Sequence, residues 1–363
     1  MSKPDELPVE GKRFFAWPYE EQTKIKHKVL CAYTKIWVSK LGSKNNTIFF
    51  DCHGGCGAYK DDDGSIVFGS SVQIRQIADD VNKNRSSKLG IYCSEIDIHN
   101  YDNYKAVLSD VGNPTIILKN SSFEDMLSDP AVRKFYLHYP TLFFVDPFGY
   151  SLDIGCLSPM MRGFGNEIIF NFMFDFINRF ISIPSVEDTL SQFFGTENWK
   201  KARTMNGRDR ELFLVNTFKE QLRKVTGARF VFAYRLCYPN KNQTYYYLIH
   251  ATNHVDGITF MKESFAAVNY GHVQYLGRNN SAISLFDLVE IKANELYENH
   301  LVKLSGQTIT FDTLWELIVE DTAYTRKDLN EAIKELEAKK AVTVKRITSK
   351  RQSYREKDEI TVL

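Results

Sequence analysis

Four consecutive residues, Asp146-Pro147-Phe148-Gly149, are the feature of this sequence most informative about chemistry. They follow an apolar run that begins at Thr141 and has the length and composition of a buried β-strand. In open α/β sheets, ligands bind in the crevice beyond the carboxyl ends of the strands, which is where Asp146 would lie. Because proline has a fixed φ and no amide hydrogen, the backbone after this carboxylate is stiff. Asp146, the Pro147 carbonyl and the Phe148 ring are therefore the predicted catalytic groups, able to hold an exocyclic amine of a nucleobase beside a methyl donor.

A glycine-rich turn follows the first strand-like run of the predicted sheet, residues 47–52. Glycines allow a backbone to approach a ligand closely and to adopt positive φ angles. Asp51, Gly54 and Gly57 are predicted to cradle S-adenosylmethionine, with Asp51 beneath its amino-acid end. An ordinary turn between a strand and a helix is the alternative explanation. About twelve residues separate this turn from the next predicted helix start at Gly69, so a helix N-terminus does not follow it immediately.

Polar residues also follow the second and third strand-like runs. An acidic residue at the end of the second strand can accept hydrogen bonds from both ribose hydroxyls of a nucleoside cofactor, and Glu95 is the predicted residue. Asp97 is the second choice, because its position suits an N-cap of the following helix. The third strand ends near Ser121 and Ser122, where many methyltransferases have an acid for the adenine amine. Ser122 is the predicted cofactor contact here, although either serine could equally cap a helix.

A polar stripe after the fifth strand-like run is the predicted substrate-binding surface. On a helix, residues three or four positions apart lie near one side, and phenylalanines would cover the other side. The residues of the stripe are Asn171, Asp175, Asn178 and Arg179. The ring of Tyr150 is predicted to contribute to the same surface. A buried network of caps that links this helix to the next loop is an equally weighted alternative.

Bulk composition limits the classes of function. With a formal net charge of +1 at pH 7, contact with nucleic acid would need a local basic patch. No apolar run reaches transmembrane length and the N-terminus lacks the apolar core of a signal peptide, so we expect a cytoplasmic protein without membrane contact. The six cysteines form no CxxC pair and are expected to be reduced. Cys52, His53 and Cys56 offer three zinc ligands at most, so no metal is expected.

The order of the strand-like and helix-like runs predicts an α/β fold. Five strand-like runs between residues 47 and 170 alternate with helical runs, which favours parallel strands between two layers of helices. Two later runs, 228–238 and 244–252, are joined by so short a segment that they must form an antiparallel hairpin. Five parallel strands followed by such a hairpin are the pattern of the class I, Rossmann-type methyltransferase sheet of seven strands.

Three regions are predicted along the chain. Residues 1–45 form an N-terminal segment with a helix, residues 46–270 the methyltransferase-like α/β domain, and residues 283–363 a winged helix-turn-helix domain. The tip of the predicted wing is basic and could follow the phosphates of DNA or RNA. Its candidate nucleic-acid-binding residues are Lys345, Arg346, Lys350 and Arg351. Winged helices also dock proteins, so a solvated charged wing is the alternative.

Several segments between Lys26 and Lys262 resemble the three-Cys-motif partner (TcmP) family. The shared segments are Lys26-His27, Phe50-Asp51 with Gly54 and Gly57, Gly69-Ser70, Glu95, Asp146-Pro-Phe-Gly149, Asn171-Phe-Met, Ile177-Asn-Arg-Phe180, and Tyr246-Tyr-Leu-Ile with Ala251-Thr, His254, Gly257 and Met261-Lys262. The resemblance implies a methyltransferase-like fold and a partner protein that carries a radical-SAM-like three-cysteine motif.

The chain departs from that family at three positions of the motif set. Asn120-Ser-Ser-Phe123 replaces the usual N-G-D-F, which affects the expected adenine contact, and the turns at residues 51–57 and 69–71 also differ. The D-P-F-G run is also similar to the catalytic motif of tRNA guanine-N2 dimethyltransferases, and more loosely to the D-P-P-Y motif of adenine-N6 enzymes.

Two functions are carried forward. The first is a methyltransferase that uses S-adenosylmethionine to modify an exocyclic amine of a nucleic-acid base. The second is a catalytically inactive, methyltransferase-like binding protein that works with a radical-SAM-like partner. A nuclease is disfavoured, because nucleases usually cluster carboxylates around a metal and this sequence has one acid at each strand end.

Overall fold

The chain divides into two compact units, Met1–Phe260 and Met261–Leu363. The computed structural model describes residues 4–112, 115–238, 243–268, 273–276, 282–284, 289–322, 324–347, 354 and 356–363.

The secondary structure elements are numbered along the chain. The strands are β1 (Leu7–Pro8), β2 (Phe15–Pro18), β3 (Thr47–Asp51), β4 (Ala58–Lys60), β5 (Ile66–Phe68), β6 (Leu89–Glu95), β7 (Ile116–Asn120), β8 (Thr141–Val145), β9 (Glu167–Phe172), β10 (Phe230–Cys237), β11 (Thr244–Thr252), β12 (Val273–Leu276), β13 (Ala282–Ser284), β14 (Thr308–Thr310), β15 (Val342–Lys345) and β16 (Glu359–Val362). The α-helices are α1 (Glu21–Leu41), α2 (Ser70–Asn84), α3 (Ile98–Asp110), α4 (Phe123–Ser128), α5 (Pro130–His138), α6 (Phe174–Phe180), α7 (Glu187–Phe194), α8 (Gly207–Thr226), α9 (Val255–Val268), α10 (Val289–Leu296), α11 (Phe311–Ile318) and α12 (Arg326–Ala338).

Seven strands of the first unit form its central sheet, in the order β10-β11-β9-β8-β3-β6-β7. The five strands from β9 to β7 are parallel, whereas β11 is antiparallel to both β9 and β10. This order confirms the predicted α/β sheet of the class I methyltransferase type, with its antiparallel last hairpin. Every residue of β3 and β8 is buried, as expected for parallel strands covered on both faces.

The parallel arrangement brings three acidic residues to one edge of the sheet. Asp51 is the last residue of β3, Glu95 is the last residue of β6, and Asp146 follows β8 directly. Since β3 lies between β8 and β6, these carboxylates follow neighbouring strands. The first unit therefore has three carboxylates at the ends of neighbouring strands.

Strands β4 and β5 lie between the glycine-rich turn and the next helix, and with β1 and β2 they form a small second sheet in the order β1-β2-β4-β5. Strands β4 and β5 form an antiparallel hairpin, and the Gly69 amide donates to the Gly57 carbonyl at 2.8 Å where that hairpin closes. The chain thus returns to the glycine-rich turn before α2 begins at Ser70. Although about twelve residues separate the turn from α2 in the sequence, the hairpin brings the two together.

The fifth parallel strand is longer than predicted. Asn171 was placed on a helix with Asp175 and Asn178, but it lies on β9 and pairs with Leu248 of β11. Helix α6 begins only at Phe174. The antiparallel pairing supplies backbone hydrogen bonds to this segment, which keeps it extended beyond the end of the parallel region.

Aromatic side chains make much of the core beside β9. The Phe218 ring of α8 lies 4.7 Å from the Phe170 ring and 5.0 Å from the rings of Phe172 and Phe193. Such close ring contacts bury large apolar areas. They fix β9, and with it Asn171, against α7 and α8.

The second unit contains the predicted winged helix. Strands β14, β16 and β15 form a three-stranded sheet, and Thr325 and Asp328 make a capping box at the start of α12. At the wing, Lys345 forms an exposed ion pair with Glu359 at 3.1 Å, and the Arg346 guanidinium lies over the Tyr354 ring at 4.6 Å. The other two predicted nucleic-acid-binding residues, Lys350 and Arg351, lie outside the described residues.

Candidate active site

A cavity of about 810 Å³ opens at the carboxyl edge of the central sheet. The predicted site residues that line it are Gly54, Glu95, Ser122, Asp146, Pro147, Phe148 and Asn171. The predicted site residues of the first unit that do not line it are Asp51, Gly57, Tyr150, Asp175, Asn178 and Arg179. The structure therefore brings the tips of β3, β6, β7, β8 and β9 around one space, with part of the predicted set behind its walls.

The glycines of the turn are required by packing within the protein. A Cβ added at Gly54 would lie 2.6 Å from the Cys93 sulfur, and one at Gly57 would lie 2.5 Å from the Tyr104 ring. Gly57 also has a φ of 80°, which favours glycine. Gly54 and its neighbour Gly55 line the cavity, so their backbone is accessible to a ligand. Gly55, with a φ of 63°, was missed in the sequence prediction.

Asp51 supports the turn from below. Its carboxylate is fully buried and accepts hydrogen bonds from the hydroxyls of Ser70 and Ser71, the first two residues of α2. Burial raises the pKa of Asp51 from 3.8 to about 6, because it outweighs these hydrogen bonds and the one from the His53 amide. A carboxylate at a helix N-terminus is also stabilised by the helix dipole. Asp51 thus joins β3 to α2 and does not itself reach the cavity.

Glu95 lies in the cavity wall and fixes the turn from the side. One carboxylate oxygen accepts from the Gly55 amide at 2.7 Å and the other from the Asp97 amide at 2.8 Å. Burial raises the pKa of Glu95 although these backbone hydrogen bonds oppose it. The Asn100 side chain is a further hydrogen-bond partner of this carboxylate, whose two oxygens have about four lone-pair sites, so Glu95 keeps acceptor capacity for a hydroxyl of a ligand.

The end of β7 provides hydroxyls. Ser122 is the N-cap of α4, where its oxygen accepts from the Asp125 amide at 3.1 Å. Its hydroxyl donates to the Asp125 carboxylate at 2.8 Å. Both interpretations made from the sequence hold for this residue, because Ser122 caps a helix and also lines the cavity.

Asp146 is held by side chains from two other elements. Lys26 of α1 donates to one carboxylate oxygen at 2.5 Å, and the Asn171 amide donates to the other at 2.5 Å. Burial disfavours the charge, but the Lys26 charge and hydrogen bond, with the Asn171 hydrogen bond, outweigh it and lower the pKa of Asp146. Asp146 is therefore an ionised acceptor near neutral pH.

His53 connects the glycine-rich turn to Asp146. Its Nδ1 accepts from the Asp146 amide at 3.2 Å, so the proton of the neutral ring is on Nε2. Burial lowers the pKa of His53 to about 4. The ring packs against Phe123 with centroids 5.0 Å apart, and both residues line the cavity. A neutral histidine thus adds an aromatic wall and no charge.

Lys26 was not identified as a site residue from the sequence. It lies on the buried side of α1, in line with Gln22, Leu30 and Tyr33 at helical spacing, and is 8% exposed. A charged residue on the apolar side of a helix is rarely buried without a partner. That position in the helical pattern was the available signal, and the partner itself lies 120 positions away along the chain.

The remaining stripe residues make contacts inside the protein. Asp175 accepts from Arg179 and from the Tyr238 hydroxyl, and Asn178 accepts from Arg210 at 3.2 Å. These contacts correspond to the alternative of a network that links α6 to other elements. Tyr150 packs on aromatic rings of α6, 5.3 Å from Phe176. Substrate binding by these four predicted residues stays a prediction.

The cavity wall is strongly acidic. Six acidic residues line it, whereas its described lining residues include a single lysine, Lys26, and no arginine. The acidic residues are Asp5, Glu20, Glu95, Asp97, Glu124 and Asp146. Low pKa values, about 3 for His27 and about 4 for His53, keep the two lining histidines neutral. The electrostatic environment therefore favours a ligand that carries positive charge or none.

Sequence comparison identifies one region of the chain. Residues 276–347 match a family described as the GMT-like wHTH domain, which agrees with the winged helix seen in the second unit. No curated protein matches the chain in sequence.

Three solved structures illustrate the similarities in fold. LPL1258 from Legionella pneumophila is 10% identical, with 73% of this chain and 98% of that chain covered and a TM-score of 0.41. An rRNA methylase from Streptococcus thermophilus is 9% identical, with 61% and 95% covered and a TM-score of 0.32. M. jannaschii TYW2, solved with AdoMet, is 9% identical, with 69% and 87% covered and a TM-score of 0.31. These similarities are too weak to transfer an activity, and the fold assignment rests on the strand order.

The described residues include neither a candidate membrane span nor a cluster of metal-ligating side chains. Their helices include none with the length and apolarity to cross a bilayer. Their His, Cys, Asp and Glu side chains form no group of three or more suited to a metal ion.

Proposed function

We propose that this protein is an S-adenosylmethionine-dependent methyltransferase that acts on an exocyclic amine of a nucleic-acid base. The observation that carries the proposal is the ionised, ion-paired Asp146 in the same cavity as Glu95 and the glycine-rich turn. An acceptor for an amine and a wall suited to a nucleoside cofactor thus share one space. The substrate would be DNA or RNA.

The residues of the cavity fit this cofactor. Gly54 and Gly55 offer accessible backbone, Glu95 has free acceptor capacity for ribose hydroxyls, and Ser122 lies at the strand end where adenine would be placed. The acidic wall suits a molecule with a sulfonium and an ammonium group. When bound, the cofactor supplies a methyl group on a sulfonium, which becomes a neutral thioether as the substrate amine takes the methyl and releases a proton.

The chain's own residues would orient the amine. Asp146 and the Asn171 side-chain oxygen would accept its hydrogens, which directs the nitrogen lone pair away from them. Lys26 keeps Asp146 ionised, so the carboxylate acts as an acceptor and not as a donor. Phe148, 45% exposed, would stack on the base. Holding the reacting groups in line accounts for most of the catalysis, since orientation alone can supply roughly 7–11 kcal/mol.

The acidic wall also restricts how a nucleic acid would bind. Phosphates are repelled by the carboxylates of the cavity, so a base would enter alone, flipped out or already unpaired. Phosphate contacts would come from basic residues elsewhere, and the wing with Lys345 and Arg346 is the proposed source. The winged helix supports nucleic-acid binding, because that fold is widely used for it.

A partner protein is part of the proposal on the basis of sequence resemblance. The segments shared with the TcmP family imply a radical-SAM-like protein with a three-cysteine motif. Co-purification of this chain with such a protein from the native cell would support the partnership, and its absence from pull-downs with either protein tagged would contradict it.

Calorimetry with S-adenosylhomocysteine, combined with transfer of a labelled methyl group to total RNA and DNA, tests the function. We expect binding to wild type, weaker binding to Glu95→Ala, and unchanged binding to Asp79→Ala, whose ion pair with Arg75 lies on α2. Methyl transfer to either nucleic acid supports the proposal. Cofactor binding without transfer would favour the inactive binding protein, and absence of binding would contradict both the cofactor and the function.

A further inference from the structure

The innermost part of the cavity presents a defined pattern of hydrogen-bond donors and acceptors. Asn171 turns its amide nitrogen toward the Asp146 carboxylate at 2.5 Å. The reverse orientation of the amide is excluded, because it would place the Asn171 oxygen against a carboxylate oxygen, and neither atom can donate a hydrogen bond. The other end of the Asn171 amide, its side-chain oxygen, is therefore directed away from Asp146.

This Asn171 oxygen is buried and has no hydrogen-bond partner among the described residues. Asn171 is 3% exposed and lines the cavity. A buried acceptor without a donor is energetically unfavourable. A ligand that places an N–H group there would remove this cost, so the oxygen indicates a donor on the substrate.

Lys26 supplies donors at the same place. Its ammonium has three hydrogens, and within the described part of the chain Asp146 is its one hydrogen-bond acceptor. The Lys26 side chain is 10% exposed and its nitrogen lies 6.0 Å from the Phe144 ring centroid and 5.9 Å from that of Tyr246. These rings offer no conventional acceptor at that distance, which leaves N–H groups of Lys26 for a ligand.

We propose that Lys26 and Asn171 select a base that has an unprotonated ring nitrogen beside its amino group on the pairing edge, as adenine and cytosine do. This inference rests on the proposed function and names its substrate class. The amine would donate to Asp146 and Asn171 while Lys26 donates to the neighbouring ring nitrogen. On the pairing edge this nitrogen is N1 in adenine and N3 in cytosine, and adenine also presents N7 on the other side of its amine.

Guanine does not match this pattern on its pairing edge. The ring nitrogen N1 beside its amine carries a hydrogen, which would face the Lys26 ammonium. Two donors would then meet without an acceptor between them, and buried unpaired donors reject a ligand strongly. Lys26 and Asn171 are thus specificity-determining residues, and Asp146 alone does not distinguish these bases.

Short unstructured oligonucleotides provide the test. Three oligonucleotides with one adenine, cytosine or guanine in a uracil background are compared for binding by anisotropy, with S-adenosylhomocysteine present, and for methyl transfer. We expect adenine or cytosine to exceed guanine by at least about 10-fold in both measurements. The preferred base is then replaced by its deaza analogues, which keep the amine and lack one ring nitrogen. At least one of them should bind about 10-fold more weakly to wild type.

Variants of Lys26 connect the preference to this residue. In Lys26→Met the deaza analogue and the parent base should bind equally, whereas Lys26→Arg, which keeps donors and charge, should retain a preference. Lys35→Met, an exposed position of α1, is the matched control and should behave as wild type. A Lys26→Met protein that fails to fold leaves Lys26→Arg and the wild-type deaza comparison, and these decide the outcome.

Two kinds of failure are distinguishable. Methyl transfer to guanine in preference to the other bases, or equal binding of every deaza analogue by wild type, would overturn this inference and leave the proposed function intact. Absence of both cofactor-dependent binding and transfer with all oligonucleotides would overturn the proposed function and this inference together.

Discussion

The glycine-rich turn and the Asp146 end of the cavity each contain a carboxylate, and the surroundings shift the pKa values of the two in opposite directions. Asp51 and Asp146 follow neighbouring parallel strands, β3 and β8. Asp51 is fully buried, receives hydroxyl hydrogen bonds from Ser70 and Ser71, and has a pKa raised to about 6. Asp146 lines the cavity, accepts a hydrogen bond from the Lys26 ammonium, and has a lowered pKa.

This difference shows that position at a strand end does not set the function of a carboxylate. Hydroxyl donors solvate Asp51 weakly, so burial dominates and the residue ties β3 to α2. An ammonium donor stabilises the charge of Asp146, so this residue stays an ionised acceptor beside the cavity. The chemistry of the partners, and not the location in the fold, separates the supporting group from the candidate catalytic group.

Replacing Asp146 should give the largest effect. Asp146→Asn is expected to lower methyl transfer by about 100-fold or more, because the amine loses its ionised acceptor. The variant should also be less stable, since Lys26 remains buried without its counter-charge. The double variant Asp146→Asn/Lys26→Met should regain stability in urea unfolding without regaining transfer. Recovery of transfer in the double variant would show that Asp146 acts through stability alone.

Removing the charge of Asp51 should change the pH dependence of stability. Its pKa is raised from 3.8 to about 6, so its contribution favours the folded state below pH 3.8 and is lost as pH rises through 6. The loss in wild type is on the order of 2–3 kcal/mol. Asp51→Asn should lack this loss between pH 4 and pH 7.5 in urea unfolding. An identical pH profile in both proteins would contradict the assigned shift.

Asp146 should show the opposite sign. Because its pKa is lowered, its contribution to stability is present above pH 3.8 and is lost as pH falls through its folded value. Comparison of wild type with the double variant Asp146→Asn/Lys26→Met below pH 4 therefore sharpens the contrast with Asp51. If the double variant lost more stability than wild type as the pH falls below 4, the result would be inconsistent with the Lys26 contact.

A third strand-end carboxylate extends the comparison to cofactor binding. Glu95→Gln is expected to weaken S-adenosylhomocysteine binding by about 10-fold in calorimetry, because a neutral amide accepts hydroxyl hydrogen bonds less well than a carboxylate. Asp97→Asn should have a smaller effect, since its carboxylate accepts from the His99 and Asn100 amides as the N-cap of α3. A greater loss of S-adenosylhomocysteine affinity in Asp97→Asn would show that Asp97, and not Glu95, contacts the cofactor.

The smallest effect is expected for an exposed ion pair of the second unit. Lys345 and Glu359 have side chains that are 76% and 34% exposed, compared with 10% and 21% for Lys26 and Asp146. Lys345→Ala should change the free energy of unfolding by less than about 0.5 kcal/mol, because water screens such pairs. A loss comparable to that of Asp146→Asn would show that exposure does not separate the two pairs.

The strands whose carboxyl ends form the edge of the cavity, and the acidic residues at those ends, could be predicted from the sequence. The runs of β3 and β8 are apolar throughout, their lengths suit strands, and parallel pairing brings their ends to one edge. The positions of Asp51, Glu95 and Asp146 followed from that. The placement of Asn171 did not, because the extension of β9 depends on its pairing with β11, a contact between distant segments.

The sequence by itself determined the strands of the central sheet and the residues at the ends of β3, β6 and β8, since apolar periodicity and turn residues act over short stretches of chain. Only the tertiary structure decided what each of those residues touches. The packing of α1 brings Lys26 to Asp146 across 120 positions, and the β4–β5 hairpin returns α2 to Asp51. Partners of this kind depend on how surfaces pack in three dimensions, and no local pattern of residues specifies them.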